Sequence, residues 1–146
     1  MRTRIATFLV ATAAVLALTA SPASAEPVLF RVTLTPQTVP TGGDPAGSGF
    51  AVVIVDDERD LICATVFARG GTPAVAVHIH KAPTGVIGPH AVDLNNPIGV
   101  AEASVSSGCY TAPEAVLDDI LANPSNYYVN VHNVGFLLGS VRGQLA

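Results

Sequence analysis

From residue 26 onward, short apolar runs are broken by Gly, Pro, Asn and Asp. Val28–Leu34 alternates between apolar and polar positions, and a turn-rich stretch follows over 36–49. The runs 49–55 (GFAVVIV) and 61–67 (LICATVF) predict two further strands, separated by a charged turn at 56–60. Residues 74–80 (AVAVHIH) predict another strand, ended by a loop with Pro83, Gly85, Gly88 and Pro89. Shorter strands are expected at 91–94, 100–105, 127–132 and 140–145. Strand signals at roughly 10-residue spacing indicate an antiparallel all-β sandwich or barrel. A parallel α/β fold is disfavoured because helical patterns do not alternate with the strands.

One short helix is expected near 112–122. Thr111 followed by Glu114 has the form of a capping box, with Pro113 in the first turn. Ala115, Val116, Ile120 and Leu121 would form its apolar face, with Asp118 and Asp119 outside.

The start of the chain follows another pattern. Arg2 and Arg4 precede an apolar stretch over 5–20, and Ala23-Ser24-Ala25 forms a small-residue cleavage signal. This reads as a secretory signal peptide over 1–25. The apolar stretch is shorter than the ~20 residues a membrane span needs. A single domain over 26–146, exported and without a membrane span, is therefore expected. No cysteine follows the apolar stretch and no paired arginines precede it, so neither a lipid anchor nor a twin-arginine route is indicated.

With 49% hydrophobic and 12% charged residues, the chain is not of disordered composition. Its net charge of -4, with no basic run, argues against nucleic acid and anionic membranes as partners. Cys63 and Cys109 are the only cysteines, too few for a four-thiolate zinc site. In an oxidising compartment they are expected to pair, the alternative being two buried free thiols.

The chemistry concentrates in four histidines. On strand 74–80, His78 and His80 share a face because side chains alternate, about 6.6 Å apart along the strand. On strand 127–132, Tyr128, Asn130 and His132 share a face. If both strands lie in one sheet, His132 can join the pair, and His90 can fold back from the Gly/Pro loop as a fourth ligand. Imidazole-only ligation suits zinc or copper over magnesium or calcium. An equally simple reading makes these histidines hydrogen-bond partners for loop carbonyls.

Other chemistry is thin. There is no serine elbow, and Ser104, Ser106 and Ser107 have no evident base. Asp56, Asp57, Glu58 and Asp60 lack the spacing and glycine of a calcium loop and read as a solvated turn. Asp93 is expected to bond backbone amides. No loop of phosphate-cradling form is present, which argues against nucleotides. Arg142, the only basic residue after Lys81, is expected to tie down the last strand through a salt bridge or carbonyl bonds.

Residues 77–94 (VHIHKAPTGVIGPHAVDL) and 121–145 (LANPSNYYVNVHNVGFLLGSVRGQL) resemble the CHRD domain, a family found in chordin and in secreted bacterial proteins. The resemblance covers nearly all of 26–146. It implies an immunoglobulin-like or superoxide-dismutase-like antiparallel β-sandwich, and it maps the family's histidines onto His78, His80 and His132. Two departures stand out: Lys81-Ala82 replaces the usual Gly after HIH, and GFLLG lacks the common Pro-Gly-Gly turn. His90 stands where small apolar residues are common. The sandwich is also similar to copper–zinc superoxide dismutase, but four histidines are too few for that enzyme's dinuclear site. At most one copper or zinc ion would sit on His78, His80 and His132.

Two functions remain open. The first is a secreted, non-catalytic binding or structural module whose partner is an extracellular protein or cell-surface ligand. The second is a mononuclear copper or zinc protein, a carrier or a redox enzyme. A proteinase inhibitor is a weaker third, since nothing marks an inhibitory loop.

Overall fold

A computed structural model describes residues 26–95, 97–100 and 102–146. The signal-peptide segment lies outside the described residues. Among the described residues, nine strands form two antiparallel sheets. They are β1 (Val28–Leu34), β2 (Ser48–Asp56), β3 (Leu61–Arg69), β4 (Ala74–Lys81), β5 (His90–Leu94), β6 (Ile98–Val100), β7 (Ala103–Thr111), β8 (Tyr127–Asn133) and β9 (Phe136–Gln144). One sheet has the order β1-β2-β3-β7-β6 and the other β5-β4-β8-β9. The architecture is the expected all-β sandwich.

The alternation along each strand builds the core. Val32, Leu34, Ala51, Val53, Val55, Ile62, Ala64 and Val66 point inward from the first sheet. Val77, Ile79, Val129, Val131 and Val141 meet them from the second. Each fully buried aliphatic side chain stabilises the fold by about 1.5–3 kcal/mol relative to exposure. At one corner the sheets are joined by the backbone: Thr35 and Arg142 exchange N–H···O bonds of 2.9 and 3.0 Å.

Several expectations need correction. The run at 100–105 is not one strand; β6 ends at Val100 and β7 begins at Ala103, pairing antiparallel. The final strand starts at Phe136 rather than at Ser140, so FLLG is strand, after a turn at Val134 and Gly135. Within it Gly139 has φ +135°, and a Cβ there would lie 2.5 Å from the Asn130 carboxamide. Glycine alone meets both constraints.

The helix α1 (Glu114–Ala122) forms without the capping box: its N-cap is Pro113, with no side-chain cap bond, and Thr111 is the last residue of β7. Strand pairing of Thr111 with Leu61 outcompetes the capping role. Leu117 and Ile120 are the buried face, flanked by Val116 and Leu121, while Ala115 is exposed.

Cys63 and Cys109 are bonded and sit directly opposite each other on β3 and β7. Their side chains lie on the outer face, as the inward set is Ile62, Ala64 and Val66. The charged turn is a single 3-10 turn over Asp57–Arg59, with Asp56 accepting from the Arg59 backbone and guanidinium.

Candidate metal centre

The outer face of the second sheet is a polar layer. Because Val77 and Ile79 face the core, His78 and His80 face outward; because Val129 and Val131 do so on β8, so do Tyr128, Asn130 and His132. The strand register sets His78 opposite Asn130, His80 opposite Tyr128 and Ala76 opposite His132. His132 thus lies diagonally across from His78.

Loop 82–89 folds over this layer, and Arg142 holds it there. Arg142 is 1% exposed, and its guanidinium faces the loop. It donates to the carbonyls of Val86 (2.6 Å) and Pro83 (2.9 Å) and to Gln144 Oε1, and it lies 3.3 Å from the Tyr128 ring centroid. Burial lowers its pKa, partly offset by the tyrosine. Gln144 Nε2 extends the clamp to the carbonyls of Ala82, Ser125 and Tyr127. The Gly88 N–H donates to Tyr128 Oη at 3.1 Å. A Cβ at Gly88 would collide with the Lys81 carbonyl, so glycine lets the loop close this tightly.

Three imidazoles come together beneath. His78, His80 and His132 each offer a ring nitrogen, all within 4.8 Å of one another. His80 Nδ1 is 2.9 Å from the Gly88 carbonyl, and His132 Nδ1 is 2.9 Å from the Leu137 carbonyl. A carbonyl only accepts, so both Nδ1 atoms carry the proton and both Nε2 atoms carry a lone pair. His80 Nε2 is buried with no hydrogen-bond partner. His132 Nε2 accepts from His78 Nδ1 at 3.2 Å. Two nitrogens on a tetrahedral zinc, at 2.0–2.1 Å from the metal, stand about 3.3 Å apart. The His78–His132 pair already has that spacing.

All three are held neutral. Burial, then the neighbouring imidazoles His90, His132 and His80, push the His78 pKa down to about 4, and Asp93 pulls it back slightly. Burial likewise lowers His80 and His132. Tyr128 stacks on His80 with centroids 5.0 Å apart.

His90 and Asp93 also reach this face, three residues apart on β5. Strict alternation would put them on opposite faces. A bulge between Ile79 and His80 leaves Ala91 unpaired, so that His90 pairs with His80 and Asp93 with His78. The His90 ring centroid is 3.9 Å from that of His78 and 4.5 Å from that of His80. Asp93, expected to bond backbone amides, instead accepts from His90 Nδ1 at 3.1 Å and lies 3.8 Å from His78 Nε2. The paired alternation of β4 and β5 could have pointed to Asp93 only once the bulge was known.

A family model for the CHRD domain matches residues 30–145. No curated protein and no solved structure matches the chain. The match spans both sheets and includes all four histidines, the disulfide and Arg142, and on that extent the chain belongs to the CHRD-domain family.

Proposed function

We propose that this CHRD domain is a secreted, non-catalytic β-sandwich module that holds one copper or zinc ion on His78, His80 and His132. The observation that carries the reading is the state of two nitrogens: His80 and His132 both spend Nδ1–H on a backbone carbonyl and turn an Nε2 lone pair toward the same space. Metal-ligating histidines are oriented in this way, by giving the other ring N–H to a carbonyl or carboxylate. An unpartnered buried ring nitrogen otherwise costs about 1–3 kcal/mol. Binding moves the His78 proton from Nδ1 to Nε2, where Asp93 faces it. Imidazole ligands favour copper or zinc.

Export is part of the same proposal. The disulfide supports an oxidising compartment, and among the described residues no helix is long and apolar enough to cross a membrane. The 1–25 pattern predicts processing after Ala25, which the mass of the exported protein checks.

Elemental mass spectrometry on the purified protein after zinc or copper loading tests the metal site. One equivalent retained by the native chain and lost in a His80→Ala, His132→Ala double variant supports it. A native chain that retains none leaves the histidines as hydrogen-bond partners of the covering loops.

A further inference from the structure

His78 is the single residue shared by two groups of candidate ligands. One is the set His78, His80 and His132; the other is His78, His90 and Asp93, also within 4.8 Å of one another. The two lie at different depths. His80 and His132 are 5% and 8% exposed, whereas the side chains of His90 and Asp93 are 52% and 77% exposed. The two nitrogens of His78 divide between them: Nδ1 is 3.2 Å from His132 Nε2, and Nε2 is 3.8 Å from Asp93 Oδ1.

The proton positions say which set can act first. His132 Nε2 is an acceptor, because its Nδ1–H is given to Leu137, so the proton between the two rings sits on His78 Nδ1. The lone pair of His78 is then on Nε2, facing the exposed set. His90 gives Nδ1–H to Asp93 and so keeps its own Nε2 lone pair. Asp93 adds a carboxylate in the only group here that carries negative charge toward a cation.

We propose that His78, His90 and Asp93 form a second, exposed metal site that captures a zinc or copper(II) ion and hands it to the buried site; this rests on the buried site proposed above. A neutral imidazole has one lone pair, so His78 serves one set at a time. In the hand-over, the ion leaves Nε2, Nε2 takes a proton from water and Nδ1 returns one to water. The freed Nδ1 lone pair then joins His80 and His132 on the ion. Protons balance and the metal keeps its oxidation state.

The test is rapid-mixing measurement of zinc loading against a chromophoric zinc chelator, with zinc as the probe. The His90→Ala, Asp93→Asn double variant changes only exposed side chains. It is expected to hold one equivalent of zinc but to load at least about tenfold more slowly than the native chain. The His80→Ala, His132→Ala variant, which no longer retains zinc through purification, is expected to bind it only weakly in the presence of free zinc, and to lose even that when the first two substitutions are added. A His80→Gln, His132→Gln pair replaces it if the alanine chain does not fold. Loading of the His90/Asp93 variant at the native rate overturns the capture step while leaving the buried site standing. Two equivalents on the native chain overturn the hand-over, and none overturns both readings.

Discussion

The imidazoles of His78 and His132 meet nitrogen to nitrogen, Nδ1 to Nε2, at 3.2 Å. They come from adjacent strands and share one proton between two neutral rings. A second proton there would bring two N–H groups face to face and make one ring a buried cation. Burial, followed by repulsion from His90, His132 and His80, places the His78 pKa at about 4.

A pH dependence follows with a defined sign. In the unfolded chain His78 has its ordinary pKa of about 6.5. Below that pH the unfolded state binds protons that the folded state refuses. The stability is therefore complete above pH 6.5 and is lost as the pH falls from there to about 4. His80 and His132, shifted in the same direction, add to the loss. Urea unfolding at pH 7.5, 5.5 and 4.5 in the presence of a chelator is expected to show a falling free energy. A His78→Gln variant is expected to show a shallower fall; an equal fall would mean that the histidine cluster is not its source.

Arg142 is expected to be the most sensitive single position outside the core. Replacing it with Met leaves the carbonyls of Pro83 and Val86 without their guanidinium partner and removes its contact with Tyr128. Each buried group left without a partner costs about 1–3 kcal/mol. A loss of about 3 kcal/mol or more is expected in denaturant unfolding. Hydrogen exchange at the Gly88 amide, bonded to Tyr128 Oη, is expected to accelerate more than exchange in β2 and β3. Uniform acceleration would show that Arg142 supports the whole fold rather than the loop.

The disulfide acts on the other sheet. Cys63 and Cys109 are separated by 46 residues. Closing a loop of that length stabilises by about 4 kcal/mol in the chain-entropy model. A Cys63→Ser, Cys109→Ser variant is expected to unfold at lower urea by about that amount, yet to keep the histidine geometry, because β4, β5 and β8 lie in the opposite sheet. Loss of zinc binding in this folded variant would contradict the separation of the two sheets' roles.

The strands carrying His78, His80 and His132 were legible because period-two alternation decides both the core and the outward face. Val77 and Ile79 inward force His78 and His80 outward, and nothing tertiary overrides that. Asp93 was not legible, since its place depends on a bulge opposite His80 that leaves no mark in the sequence of β5. The same applies to Thr111: its spacing to Glu114 satisfies a helix cap, but a strand partner at Leu61 claims it first. Arg142 could be recognised as a clamp, whereas the loop it clamps, bonded through carbonyls 56 and 59 positions away, emerges only from the fold.

X-ray absorption at the zinc edge of the loaded native protein tests the central claim most directly, because it counts the imidazoles on the ion. The account predicts three imidazole nitrogens at about 2.0–2.1 Å, with any remaining position filled by a single oxygen or nitrogen. A shell of oxygen ligands without imidazole scattering would contradict it and leave the three histidines as struts beneath the covering loop.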